Sequence, residues 1–228
     1  MPADQVLINE VFHSVQGEST WAGLPCVFIR LRGCPLRCHY CDTEYAFREG
    51  KARMVDEVVE EVTSIGCPLV EVTGGEPLIQ PAVHPMMTRL CDLGHTVLVE
   101  TAGAHDISVC DERVIRILDI KTPGSGESER VHWGNIEHLR KRDEVKFVLV
   151  DRADYDWMKQ VVQQYDLSDR VDTVLVSPAF QQESGRDIAG CEGLDPAELV
   201  SWILEDRLPV RMQLQMHKFI WDPKTRGV

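Results

Sequence analysis

Three cysteines crowd into one short run, Cys34-Pro-Leu-Arg-Cys38-His-Tyr-Cys41, while Cys26, Cys67, Cys91, Cys110 and Cys191 are scattered. That uneven spacing points to a local metal site, with the remaining cysteines as packing residues. Three thiolates on a tight loop hold three irons of a [4Fe–4S] cube. Four cysteines are the usual set, so this run leaves one iron open to a substrate or cofactor. Tyr40 puts an aromatic ring beside the last ligand, where it shields the cluster. Structural zinc is the bland alternative. Zinc sites usually take two pairs of ligands, and neither Cys26 nor His39 makes a second pair. Gly33, Pro35 and Arg37 flank the cysteines, so the loop is not an apolar core segment.

A second unusual segment, Thr73-Gly74-Gly75-Glu76-Pro77, follows. Its glycines let the backbone come close to a ligand, and Glu76 offers a carboxylate to an ammonium group. A Gly-Gly turn after a strand is common, so this segment gains meaning from its distance to the cysteines.

The elements that position these segments are legible as short apolar runs. Strands are predicted to centre on 7–12, 27–31, 69–73, 96–100, 115–120, 145–150, 173–176 and 210–215. Val55, Val58, Val59 and Val62 fall at helical spacing, with Asp56, Glu57, Glu60 and Glu61 opposite. Met158, Val161, Val162 and Tyr165 repeat that pattern. Asp195, Pro196 and Glu198 read as an N-cap, a first-turn proline and a capping-box acid. Alternation of helices with continuous apolar strands implies a parallel sheet under helices, α/β in class, as a partial (β/α) barrel or an open doubly wound sheet. Ligands then gather at the carboxyl ends of the strands. The cysteine run, the TGGEP segment, ETAGAH and DIKTPGSGE all fall there.

With 228 residues the chain forms one domain, 1–228. Its net charge of −13 argues against binding nucleic acid through phosphates. It has no apolar run long enough for a membrane span, and MPADQVLINE lacks the marks of a signal peptide. A cytoplasmic protein is expected, and that compartment disfavours disulfides.

CxxxCxxC followed by GGEP resembles the radical S-adenosylmethionine (SAM) superfamily. Three further segments resemble one family in it, 7-carboxy-7-deazaguanine synthase: Phe12-His-Ser-Val-Gln16-Gly17-Glu18, Phe28-Ile-Arg30-Leu-Arg-Gly33, and Leu214-Gln-Met-His217-Lys218-Phe-Ile-Trp221. The resemblance implies an abbreviated partial (β/α) barrel of the radical SAM type. It implies conversion of 6-carboxy-5,6,7,8-tetrahydropterin to 7-carboxy-7-deazaguanine with loss of ammonia, in the queuosine and 7-deazapurine pathway. SAM is reusable there, and radical chemistry rests on SAM and cluster rather than on a catalytic side chain. By the same resemblance Cys34, Cys38 and Cys41 hold the [4Fe–4S] cluster and Thr43 holds Mg²⁺, a hard oxygen donor for a hard cation. Gly75 and Glu76 meet the methionine end of SAM, and Tyr40, Cys41 and Asp42 its adenine. Asp119, Ile120 and Lys121 lie by its ribose and methionine, with Ser177, Pro178, Ala179 and Phe180 as a later SAM-lining loop. Val15, Gln16, Gly17, Arg30, Thr73 and His217 bind substrate. An electron donor such as flavodoxin and a homodimer are implied.

Two departures stand out. Gly17-Glu18-Ser19 replaces the family's frequent Gly-Glu-Gly, and the chain continues past Pro223, where some members end on a proline near substrate. Two rival readings are a glycyl-radical-enzyme activase and a non-catalytic iron–sulfur electron carrier. The first lacks the paired Gln16-Gly17 and His217-Lys218 segments. The second needs a fourth protein ligand and has no use for GGEP.

Overall fold

The computed structural model describes residues 4–228. Its frame is one nine-stranded sheet with nearest-neighbour order β3-β1-β2-β4-β5-β6-β7-β8-β9. The strands are β1 (Gln5–Val15), β2 (Pro25–Leu31), β3 (Lys51–Met54), β4 (Leu69–Gly74), β5 (Thr96–Thr101), β6 (Ile115–Asp119), β7 (Glu144–Leu149), β8 (Thr173–Pro178) and β9 (Arg211–Met212). From β2 through β4 to β9 all pairings are parallel, whereas β1 runs antiparallel to both β2 and β3.

Helices α1 (Val55–Ile65), α2 (Val83–Asp92), α3 (Arg152–Gln164) and α5 (Pro196–Asp206) are joined by the short α4 (Leu167–Arg170) and α6 (His217–Ile220). The valines of α1 are buried as their spacing requires. Asp195 caps α5 by accepting from Ala197 N at 2.8 Å. Tyr165 falls just beyond α3 as its C-cap residue. No α-helix links β5 to β6 or β6 to β7, where loops and 3₁₀ turns take its place.

The structure differs from the sequence reading at four points. β3 has no counterpart there, because four residues, two exposed and two half-buried, carry no strand period. The strand expected at 210–215 shrinks to Arg211–Met212, and β1 reaches further at both ends than 7–12. The parallel strands are also not continuously apolar. One face carries Val70, Val72, Val97, Val99, Phe147 and Leu149 in the buried core. The opposite face carries Arg30, Glu71, Thr73, Glu100, Asp119 and Lys146, in register from strand to strand. This second face lines a cavity instead of packing on helices.

Curvature follows from bonds that cross this polar face. Residues 16–20, just after β1, reach Glu71 on β4 and both Glu144 and Lys146 on β7. The segment after β9 bonds to the same residues, Ser19 N donating to Gln213 Oε1 at 2.7 Å and Met216 N to the Gly17 carbonyl at 2.9 Å. The sheet is thus a partial barrel, with the 16–20 segment bridging its concave side.

Candidate active site

The cysteine loop leaves the carboxyl end of β2 and roofs a cavity of about 800 Å³ lined by Cys34, Cys38 and Cys41. Backbone bonds dock it on its neighbours: Gly33 N to Ala46 O at 2.8 Å, His39 N to Ser125 O at 3.0 Å and Glu76 N to Gly33 O at 2.8 Å. Gly75 must be a glycine, since a Cβ there would lie 2.9 Å from Cys34 Cβ and closer still to the Gly33 carbonyl. Arg37 braces the loop, donating to the carbonyls of Cys34 and Leu36 and lying 4.2 Å from the Phe47 ring centre.

All eight cysteines are free thiols. Burial pushes Cys34 up to about 11 and Cys38 up to about 12, and raises Cys41 as well, with Lys121 opposing the rise at each. Metal uptake by this loop must therefore release protons. Among the described residues, no three His, Cys, Asp or Glu side chains converge closely enough to hold one metal ion. Cys26 pairs with Ser14 at the opposite end of β2 and cannot complete a zinc site. Three separate thiols around one cavity suit a larger cluster.

Beside the roof, β6 ends in Asp119, and Lys121 follows two residues on. Lys121 Nζ lies 2.7 Å from Asp119 Oδ2 and 5.6 Å from the Tyr40 ring centre. Asp119 Oδ1, Tyr40 Oη and Ser177 Oγ are buried without a hydrogen-bond partner. Such orphaned groups are costly unless a ligand completes them, and a hydroxyl-rich nucleoside such as SAM fits that need. Glu76 is buried and accepts three hydrogen bonds, from Thr101 Oγ1 at 2.7 Å and Leu78 N at 3.1 Å on Oε1 and from Ala102 N at 2.8 Å on Oε2. Glu76 thus locks the GGEP loop onto the next loop and does not line the cavity.

The floor is built from the far end of the barrel. Because β1 is antiparallel, Val15 sits opposite Pro25, at the amino end of β2. The chain then turns inward as a plug. Gln16 Oε1 accepts from Glu18 N at 3.0 Å, and Gln16 Nε2 donates to Glu71. Glu18 meets Lys146 Nζ at 2.9 Å and accepts from Gln215 Nε2 at 2.9 Å. Burial would raise the Glu18 carboxyl, but Lys146, His217 and Gln215 outweigh it and hold it at about 2. Glu71 goes the other way: burial, then Glu100 and Glu18, hold it well above the carboxylate range. Ser19, where the family often has glycine, takes φ 65°, in the left-handed region. Its backbone N–H donates to Gln213, and its Oγ accepts from Trp21 N at 3.2 Å, so the side chain is used within the plug.

The C-terminal segment closes the side wall. Gly17 packs directly on His217. Lys218 is buried, 2.7 Å from Asp42 Oδ2 and 5.1 Å from the Phe180 ring centre. Residues 223–228 line the rim, where Arg226 meets Glu49 at 2.8 Å and lies 3.8 Å from the Tyr45 ring centre.

With this geometry in place, comparison with known proteins is informative. A model of the radical SAM superfamily matches residues 28–121. The 7-carboxy-7-deazaguanine synthase of Koribacter versatilis (strain Ellin345) is 44% identical over 97% of this chain and 99% of its own length. The synthase of Chlorobaculum tepidum is 42% identical over 97% of this chain and 96% of its own. The chain belongs to the 7-carboxy-7-deazaguanine synthase family. The crystal structure of QueE from Escherichia coli shares its fold, with a TM-score of 0.73 at 22% identity over 93% of this chain and 95% of that one.

The synthase-family resemblance singled out residues from across the chain, and the fold brings most of them together. Val15, Gln16, Gly17, Arg30, Thr73 and His217 line the same cavity as the cysteines, as do Tyr40, Asp42, Thr43, Gly75, Asp119, Lys121 and Phe180. Glu76, Ile120, Ser177, Pro178 and Ala179 lie behind that lining. Ile120 is a core residue whose backbone N–H donates to Lys146 O at 2.8 Å. Sequence reasoning missed Glu18, Glu71, Glu100, Lys146 and Lys218. A signal existed, since a charge inside an otherwise apolar strand is rarely buried without a purpose.

Proposed function

We propose that this chain is a radical SAM carbon–nitrogen lyase that converts 6-carboxy-5,6,7,8-tetrahydropterin to 7-carboxy-7-deazaguanine with release of ammonia. The observation that carries the reading is a single cavity that joins the cysteine roof to Gln16, Arg30 and His217, drawn from both ends of the chain. An activase acting on a partner protein has no need of that floor. An electron carrier has no need of the orphaned polar cradle. When bound, the cluster and SAM supply a primary carbon radical able to take hydrogen from a C–H bond.

The chain's own residues bind and orient. Cys34, Cys38 and Cys41 hold the cluster. Tyr40, Asp42, Gly75, Asp119, Lys121 and Phe180 surround SAM, with Ser177 behind them on β8. Arg30 is fixed through Nε, which donates to Glu10 Oε1 at 2.8 Å. Its terminal nitrogens have no hydrogen-bond partner among the described residues, and they suit the substrate carboxylate as a fork. Gln16, Gly17, Thr73 and His217 border the same space. Thr43 makes no capping bond with its hydroxyl, which lies 3.8 Å from Cys41 Sγ. That hydroxyl suits one position on a Mg²⁺ that keeps waters and substrate oxygens elsewhere. A low-potential donor such as flavodoxin, a homodimer and a cytoplasmic setting complete the proposal. No helix among the described residues is long and apolar enough to cross a membrane.

The test is anaerobic reconstitution with iron and sulfide, then turnover of the carboxypterin with SAM, with and without a chelator of Mg²⁺. Product that depends on Mg²⁺, from a protein whose iron content the chelator leaves intact, supports the whole assignment. Deoxyadenosine without deazaguanine product refutes the substrate. Chelator-indifferent turnover refutes the role of Thr43.

A further inference from the structure

Lys146 lies at the middle of the concave face, with its side chain only 4% exposed. Three carboxylates from three different elements surround it. Glu18 Oε2, from the plug, is 2.9 Å from Nζ, Glu100 of β5 is in direct contact, and Asp119 Oδ2 of β6 is 3.6 Å away. Lys121 is the nearest like charge and shares Asp119 Oδ2 at 2.7 Å. Glu71 completes the group from β4. Removing a cation this far from water is expensive, and an apolar residue of similar volume is often as stabilising as a buried ion pair. Core stability alone therefore gives no reason for a lysine here.

Two of its partners belong to different halves of the site. Glu18 is bonded through its backbone to Gln16 and through Oε1 to Gln215, both in the floor. Asp119 carries the orphaned Oδ1 of the SAM cradle. We propose that Lys146 is a positioning residue that ties the substrate floor to the SAM cradle and fixes the distance between them. This inference rests on the function proposed above. Hydrogen transfer needs the two carbons held near contact, and a misplacement of about 1 Å costs roughly 100-fold in rate. Each ligand is held by its own wall, so the separation of the walls sets that distance. Lys146 spans the walls.

The SAM-holding contacts of Lys121, Tyr40 and the cysteines do not pass through Lys146. Its loss is therefore expected to uncouple the reaction rather than empty the site. Because SAM is regenerated in productive turnover, free deoxyadenosine accumulates only when hydrogen transfer fails. The experiment uses reconstituted wild type, Lys146→Met, and Lys146→Met/Glu100→Gln, the last of which removes the carboxylate that would be stranded. Iron content, SAM affinity, carboxypterin affinity and deoxyadenosine released per product are measured together. Lys146→Met is expected to keep wild-type iron and SAM affinity and to raise deoxyadenosine per product by about 100-fold. If the single variant loses iron, the double variant carries the same expectation. A loaded variant with the wild-type ratio overturns the inference. Loss of iron and SAM binding in both variants also overturns it, by making Lys146 a plain structural cation. Failure of wild type to form product overturns the substrate reading and this inference with it, whereas product from wild type with an unmoved ratio overturns this inference alone.

Discussion

Replacing Gly17 with alanine tests the floor through one methyl group. Gly17 has an ordinary φ, so alanine strains no backbone there. The space is the problem. A Cβ would lie 3.0 Å from His217 Cγ, 3.1 Å from His217 N, and closer still to Nδ1. The ring cannot simply swing aside with its backbone N–H also in the way. The short helix α6 is pinned as well, by Met216 N on the Gly17 carbonyl at 2.9 Å and by Lys218 on Asp42 at 2.7 Å. Inserting a methyl into such packing costs about 1–3 kcal/mol, and losing the Met216 bond adds about 0.5–1.5 kcal/mol. Urea unfolding of the apoprotein reads that loss, and carboxypterin binding to the loaded protein reads its effect at the floor. Gly23→Ala is the matched control. Gly23 has φ 91° and nothing within 4 Å of a Cβ. Alanine there costs about 1–2 kcal/mol of left-handed strain and leaves carboxypterin affinity unchanged. If Gly17→Ala matched wild type in both stability and affinity, the contact of plug and C-terminal segment would not exist as described.

Other lesions separate the parts of the site. Cys38→Ala is expected to abolish cluster absorption and deoxyadenosine formation, while Cys67→Ala, a buried cysteine near α1, costs only stability; a Cys38→Ala protein that still cleaved SAM would refute the roof. Arg30→Ala is expected to weaken carboxypterin binding by roughly 10- to 150-fold, the loss of one charge-assisted contact of about 1.5–3 kcal/mol, with SAM binding retained. Equal loss of both ligands would mean misfolding, and no loss of either would remove Arg30 from the substrate site. Glu71→Gln tests the raised carboxyl. Burial, then Glu100 and Glu18, disfavour its charged form in the folded state. Its contribution to stability is therefore full below the unfolded value of about 4.3 and lost as pH rises through the folded value. Glutamine removes that loss, so the variant gains on wild type in urea unfolding as pH rises above the unfolded value. A gain that shrank with rising pH would contradict the assignment.

The roof was legible because its information is local. CxxxCxxC, GGEP and the DIK segment each sit in one stretch of chain at the carboxyl end of one strand. The valine period of α1 and the Asp195 cap were legible for the same reason. What escaped depends on pairing between distant segments. β3 is too short and cationic to announce itself, and it is a strand only because β1 offers an edge. The antiparallel direction of β1 cannot be read from its composition, yet it decides that Gln16 enters from the barrel's opposite end. Glu76 looks like a ligand carboxylate in sequence. Only the approach of Thr101 and Ala102 shows that it also locks two loops together.

The polar face of the sheet explains why the site needs both ends of the chain. A closed apolar barrel core would leave no room for two ligands. An open polar one would flood with water and leave Glu71, Glu100, Asp119 and Lys146 solvated. The plug and the C-terminal segment resolve this by capping the concave face from below and from the side, burying those polar groups around Lys146 while leaving the roof open. Under the proposed function, roof and floor are expected to fail independently. Damage to the cysteine loop is expected to empty the site of iron, whereas damage to the plug is expected to spare the iron and lose the substrate. Iron content and carboxypterin binding measured on the same variants check this. Residues that touch both, Lys146 through Glu18 and Asp119 and Lys218 through Asp42, link the two failures.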